Sequence, residues 1–194
     1  MNGNTILEMV SKNNGIVTAK EVREAGIAPA SLRWLVQQNK LEKTARGVYI
    51  LPEVWEDEFV NIQTRFKKGI FSKETALFLH DLTDRTPMAF SITFPSYYNV
   101  TVIKDSEILS SKSKFYDLGI EKVKTPSGNI VLAYNMEKTL CDILRPRSEV
   151  DIQVIPEAFR QYVRRSDKNI PRLSEYAKKM KVEEKVRTYL EILL

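Results

Sequence analysis

The segment Ile27–Leu51, IAPASLRWLVQQNKLEKTARGVYIL, constrains the fold of this chain more than any other. Pro29 suits the first position of a helix, where its missing N–H costs nothing. From there Leu32, Leu35 and Val36 recur at helical spacing and predict a stripe that faces a core. Ser31, Arg33, Trp34, Gln37 and Gln38 are left on the outer face. A solvated helix normally carries Glu and Lys there, whereas this one carries a cation, an indole and two amides. Arg and Gln can make paired hydrogen bonds to guanine and adenine edges in a major groove. Leu41–Ala45 and Val48–Leu51 then read as two short strands around Arg46-Gly47, with Lys43, Thr44 and Arg46 near the tip of the hairpin. A helix followed by a basic hairpin has the outline of a winged helix.

The residues upstream fit that outline. Ile6, Leu7, Met9 and Val10 predict an amphipathic helix over Asn4–Lys12, closed by the turn signature Asn13-Asn14-Gly15. Thr18 can cap a second helix, with Glu21 three residues on completing a capping box. Val22 and Ala25 are its inward positions, and Gly26 ends it. Three short helices and a hairpin in this order are a winged helix-turn-helix, with the third helix as reader. A small helical domain packed against the rest, or a protein-docking module, are the alternatives at this point.

Charge agrees with a polyanionic partner without requiring one. The chain of 194 residues carries 30 Lys and Arg against 25 Asp and Glu, a net charge of +5. Residues 1–52 hold 7 basic and 4 acidic side chains, residues 53–146 hold 12 and 13, and residues 147–194 hold 11 and 8, so both ends are basic. The single cysteine, Cys141, excludes an internal disulfide. No signal peptide or apolar run near the ~18 residues of a membrane span is present, and the cytoplasm is the expected compartment.

After Pro52 the character changes, and a domain boundary is expected there. Trp55, Phe59, Ile62 and Phe66 follow at spacings that predict a buried helical stripe. Ser72 is positioned to cap SKETALFLHDL. From Ala89 the period becomes that of strands, in AFSITF, NVTVIKD, GIEKVKTP and NIVLAY, with Pro126-Ser127-Gly128-Asn129 as a turn. Tyr97 and Tyr98 lie in a loop that core packing does not explain. Asn135 caps MEKTLCDILR, whose stripe is Met136, Leu140, Ile143 and Leu144. Helices opened by Pro156 and Pro171 and a closing EEKVRTYLEILL follow. Their outward cations Arg160, Arg164, Arg165, Lys178, Lys179 and Lys181 form a second basic surface, either plain solvated surface or a contact for an anion. The expected class is α+β: a winged helix-turn-helix over 1–52, then a mixed domain over 53–194 with strands in 89–134 and a helical bundle over 135–194.

Catalytic chemistry lacks its parts. There is no G-x-x-x-x-G-K-[ST], G-x-G-x-x-G or G-x-S-x-G. His80 is the only histidine, so an HD-type metal site cannot be assembled, and a structural hydrogen bond suits it better. Cys141 sits in an apolar helix without a histidine or basic cluster and reads as a core residue. The acid-x-Lys triplet Glu183-Glu184-Lys185 falls in a surface helix, away from any core strand. No enzyme activity, metal or cofactor is expected.

The order of NGIVTAKEVREAGI, FSKETALFLHDLTDRTPMAFSITFP and AYNMEKTLCDILR resembles the AbiEi antitoxins of type IV toxin–antitoxin systems, over nearly the whole chain. Ser72, Leu77, His80, Leu82, Asp84 and Pro87 align with a Ser…Ala-Leu…His-Gly-Leu-x-Asp…Pro pattern, with Asp81 where the family often has Gly. The resemblance implies a two-domain antitoxin and autorepressor of a phage-defence (abortive infection) system. Its N-terminal domain would bind inverted repeats in its own promoter. Its C-terminal domain would assist repression and counteract a nucleotidyltransferase toxin, AbiEii, without a stable complex. The expected arrangement is a monomer in solution with two copies on the double-stranded operator. Ser31, Arg33, Trp34, Gln37 and Gln38 would read the groove, Lys43, Thr44 and Arg46 would follow the wing, and Thr18 and Lys20 would touch the backbone, helped by N–H groups at their helix start. A plain winged-helix regulator whose C-terminal domain senses a ligand, near Tyr97 and Tyr98, is the alternative.

Overall fold

A computed structural model describes residues 2–146 and 148–193. The chain divides into two compact units. One runs to Lys67 and takes in Lys124–Val131, and the other holds Lys68–Val123 and the residues from Leu132 on.

The first unit opens with α1 (Asn2–Lys12), β1 (Ile16–Thr18), α2 (Ala19–Glu24) and α3 (Ala30–Gln37), followed by the hairpin β2 (Glu42–Ala45) and β3 (Val48–Ile50). β1 was not foreseen. It pairs antiparallel with β3, Val17 opposite Tyr49, and gives a three-stranded sheet in the order β1-β3-β2. The turn before it uses left-handed Asn14 and Gly15, and a Cβ on Gly15 would stand 2.5 Å from Val54 Cγ2. Ile6, Val10, Val17, Val22, Ile27, Leu32, Leu35, Leu41 and Tyr49 form the core between the helices and the sheet.

All three residues of β3 are buried, so this sheet is covered on both faces. On the far face Ile16, Val48 and Ile50 pack with Ala45 and Val60. Val60 comes from α4 (Glu58–Arg65), which is why the unit continues past Pro52, the expected boundary, to Lys67. Left uncovered, those three aliphatic side chains would each forgo about 1.5–3 kcal/mol of burial. Asp57 caps α4 by accepting from the N–H groups of Phe59 (3.0 Å) and Val60 (3.4 Å). That cap puts Trp55 outside the helix. Expected on the buried stripe, Trp55 is 91% exposed, while Phe66 is buried as predicted.

The second unit carries most of a mixed sheet, order β6-β5-β4-β8-β7. Its strands are β4 (Ile70–Phe71), β5 (Phe90–Pro95), β6 (Ile108–Ser113), β7 (Ile120–Lys124) and β8 (Ile130–Tyr134). β4 is antiparallel to β5 and parallel to β8, and β5 is parallel to β6. NVTVIKD, expected as a strand, instead holds a 3₁₀ turn over Val100–Val102, because Asn99 Oδ1 accepts from the Thr101 N–H at 3.1 Å. α5 (Lys73–Leu79) follows Ser72, but the Ser72 hydroxyl does not cap it. It accepts from Thr93 Oγ1 at 2.9 Å.

The helices α6 (Met136–Ile143), α7 (Val154–Arg164), α8 (Ile170–Met180) and α9 (Glu183–Leu193) complete this unit. Asn135 caps α6 as expected, accepting from the Lys138 N–H at 2.9 Å. α7 starts two residues before Pro156, which takes an early position where no intrahelical N–H is required. α6 was expected to bury one stripe, yet all eight of its residues are buried. Glu137 accepts from the Tyr162 hydroxyl at 3.0 Å and the Asn169 N–H at 3.2 Å, with Arg172 at 3.5 Å. Lys138 pairs with Asp142 and lies 4.1 Å from the Tyr134 ring centroid. Polar residues therefore line an apolar core because each has a partner.

Candidate nucleic-acid interface

The first unit presents most of the predicted reading face. On α3, Leu32 and Leu35 are buried, whereas Arg33, Gln37 and Gln38 are exposed and Trp34 is 50% exposed. Helical periodicity produces this split directly: the buried pair fixes which way the rest must point. A Cβ on Gly3 would meet the Trp34 ring at 3.1 Å, so the covered part of the indole lies against the start of α1. The Lys40 ammonium stands 6.0 Å from its centroid. Ser31 is half-buried.

α2 and α3 are joined through a tight turn. The Ile27 N–H donates to Val22 O at 3.0 Å and the left-handed Gly26 donates to Arg23 O at 2.9 Å. The start of α2 is also tied to the hairpin, because the Ala19 N–H donates to Gly47 O at 2.8 Å. Lys20 and Arg46, both exposed, are thereby held next to this junction, with Lys43 exposed on β2. Lys20 lies 3.6 Å from Glu24. Being exposed on both sides, that ion pair holds Lys20 only weakly.

Two of the predicted contacts are engaged inside the unit. The Thr18 hydroxyl donates to Glu21 Oε2 at 2.8 Å and accepts from the Glu21 N–H at 3.2 Å. The Thr18 N–H donates to the same carboxylate at 2.7 Å. With the Ala19 N–H on Gly47, the start of α2 does not offer a phosphate the row of donors that was expected. Lys20 is the side chain that stays available there. Thr44 is half-buried and donates to Asn61 Oδ1 at 3.4 Å, an interaction inside the unit that the sequence alone did not reveal.

The second basic surface is less uniform than its sequence. In the second unit Arg160, Arg164, Lys179 and Lys181 are exposed. Lys178 lies 3.7 Å from Glu183. Arg165 forms a paired contact with Asp167, at 2.8 and 2.9 Å, and donates to His80 O at 3.3 Å. It anchors a loop instead of standing in solvent. His80 makes the expected structural bond, donating from Nε2 to Tyr134 O at 2.7 Å. Burial pushes the Cys141 thiol up to about 12, consistent with a core residue and not a nucleophile. Among the described residues no group of three His, Cys, Asp or Glu could hold a metal ion, and no helix is long and apolar enough to cross a membrane.

No curated protein matches the chain. A crystal structure of the RV2827C protein from Mycobacterium tuberculosis is similar at a TM-score of 0.47 and 12% identity, covering 98% of this chain and 80% of that one. Residues 4–52, which hold most of α1 and the elements through β3, match the family described as transcriptional regulator, AbiEi antitoxin. Over that segment the likeness to the AbiEi antitoxins read from the sequence is upheld, and the segment holds both the exposed helix and the basic hairpin.

Proposed function

We propose that the chain is a winged helix-turn-helix autorepressor and antitoxin of the type IV, phage-defence kind, acting in the cytoplasm. The order α1-β1-α2-α3-β2-β3 is the winged helix-turn-helix order, and α3 is its reading helix. Two copies occupy an inverted repeat in the chain's own promoter, each setting Arg33, Trp34, Gln37 and Gln38 in a major groove, with Ser31 at the groove edge. Lys20, Lys43 and Arg46 contact phosphate, and Thr18 and Thr44 support them through the cap of α2 and the contact with Asn61. The second unit counteracts a nucleotidyltransferase toxin without forming a stable complex.

One observation carries this reading. The helix that buries Leu32 and Leu35 turns a cation, an indole and two amides outward, beside a hairpin whose exposed side chains include Lys43 and Arg46. Such a face suits base edges and phosphates together. The test is fluorescence anisotropy with a duplex from the chain's own promoter and a scrambled duplex of equal length. At physiological salt the promoter duplex should bind at least about 10³-fold tighter. Equal affinity for the two overturns the repressor reading. Co-expression with an AbiEii nucleotidyltransferase toxin should restore growth while gel filtration shows no joint peak, and failure to restore growth overturns the antitoxin reading.

A further inference from the structure

One end of the mixed sheet gathers exposed side chains that neither the core nor the proposed reading face uses. β5 and β6 are parallel and finish side by side, Pro95 opposite Ser113. Ser96-Tyr97-Tyr98 and Lys114-Phe115-Tyr116 therefore leave the sheet together. β4 runs antiparallel to β5, so the approach to it, Lys68-Gly69, arrives at the same end. Tyr98 is accounted for: its ring stacks on Phe94 with centroids 4.5 Å apart. Tyr97 is not. It is 76% exposed, and the Lys68 ammonium stands 5.2 Å from its ring centroid.

This arrangement is held from the core. The buried Tyr134 donates its hydroxyl to Tyr116 O at 2.9 Å, and Tyr116 in turn donates to Lys68 O at 2.9 Å. The backbone at Lys68 is thus tied through Tyr116 to the buried Tyr134, and the turn that carries Tyr97 is closed by the Tyr98 N–H donating to Pro95 O at 2.9 Å. Lys112 and Lys114 are exposed on the adjoining strand end, with Asp117 the one carboxylate in 96–99 and 114–118. An exposed aromatic face among lysines is the combination that takes a nucleobase by stacking and its phosphates by charge. A duplex keeps its base faces covered by their neighbours, so the stack requires unpaired bases.

We propose that this end of the second unit's sheet binds single-stranded nucleic acid, with a base stacked on Tyr97 and flanking phosphates on Lys68 and Lys114. The site belongs to the second unit, whereas the face assigned to duplex DNA belongs to the first, and the proposal does not depend on that assignment.

Fluorescein-labelled dT12, rU12 and an abasic 12-mer, titrated with the full chain, test it by anisotropy. Both base-bearing strands should bind, and dT12 against rU12 shows whether the 2′-hydroxyl matters to the site. Tyr97→Ala should weaken binding about 5- to 150-fold, the loss of one base–aromatic stack, while Tyr97→Phe retains it. The abasic strand should bind the wild type no better than dT12 binds Tyr97→Ala. Lys68→Ala with Lys114→Ala should lower the salt slope by about 1.4. The proposal is overturned if the wild type binds neither strand, if Tyr97→Ala binds like the wild type, if the abasic strand binds as well as dT12, or if an unlabelled duplex displaces dT12 as effectively as dT12 itself. Tyr97 is largely in solvent, so its replacement leaves the fold in place, and circular dichroism of each variant verifies this.

Discussion

The hydroxyl of Thr125 donates to Asp57 Oδ2 at 2.5 Å, joining residues 68 apart in sequence inside the first unit. Asn129 Nδ2 donates to the same oxygen at 2.8 Å, while Oδ1 caps α4. Asp57 is 3% exposed, so four donors depend on one buried carboxylate. Asp57→Ala should cost about 2–4 kcal/mol, combining a lost cap with two stranded polar groups. Urea unfolding reports it, and a midpoint equal to that of the wild type would sink this account. Asp57→Asn should fall between the two.

Arg33 and Lys43 should separate by kind of defect. If Arg33 reaches a base, Arg33→Ala costs about 1–3 kcal/mol on the promoter duplex and relaxes preference at one position. Lys43→Ala should weaken all duplexes alike and reduce the salt slope by about one. Anisotropy at several salt concentrations distinguishes them, and two variants with the same profile contradict the assigned docking.

Lys138 is fully buried against Asp142 and the Tyr134 ring. Among the described residues, Lys138→Met leaves Asp142 with the more distant Arg145, at 3.7 Å. The expected loss is about 3–5 kcal/mol. Adding Asp142→Leu should recover most of it, because the uncompensated charge goes too. A double variant no more stable than Lys138→Met alone argues against the pair as the source of the loss.

Alkali should act on the second unit. Burial raises the ionisation of Cys141, Tyr134 and Tyr162, helped by the nearby carboxylates Asp142 and Glu137. A raised acid favours the folded state fully below its unfolded value and loses that contribution as pH climbs through the folded one. For Cys141 the window runs from about 9 to about 12, with a slope of about 1.4 kcal/mol per pH unit. Thermal melts from pH 8 to 11 should show the decline, and Cys141→Ala should make it shallower. An unchanged slope in that variant would assign the loss to other groups.

How much of this was legible in the sequence depended on the range of the interaction concerned. Thr18 and Asn135 were read as caps because their partners lie three residues away. The stripe on α3 was read from its period. Trp55 fitted the same period but precedes Asp57, and the cap, not the spacing, sets where α4 begins. β6 carries no strand signal because its polar sequence suits the edge of a sheet, and β4 carries none because it has two residues. The engagement of Arg165 with His80 O spans 85 residues and leaves no local trace. The departure at Asp81 has a backbone reason: its φ is +55°, the left-handed conformation that Gly adopts freely and Asp tolerates. Asp81→Gly should leave the melting temperature equal or higher, whereas Asp81→Val should cost about 1–2 kcal/mol. Equal melting of the two variants would remove strain at this turn from the explanation.

The first unit is not contiguous, since Lys124–Val131 belongs to it along with the residues up to Lys67. A ribosome therefore releases the amino-terminal portion well before the stretch that finishes it. At about 5–20 residues per second, the wait after Lys67 is roughly 3–13 s. During synthesis the amino-terminal portion must survive with the Asp57 carboxylate facing water, and its final stability arrives only with the later turn between β7 and β8, which brings Thr125 and Asn129.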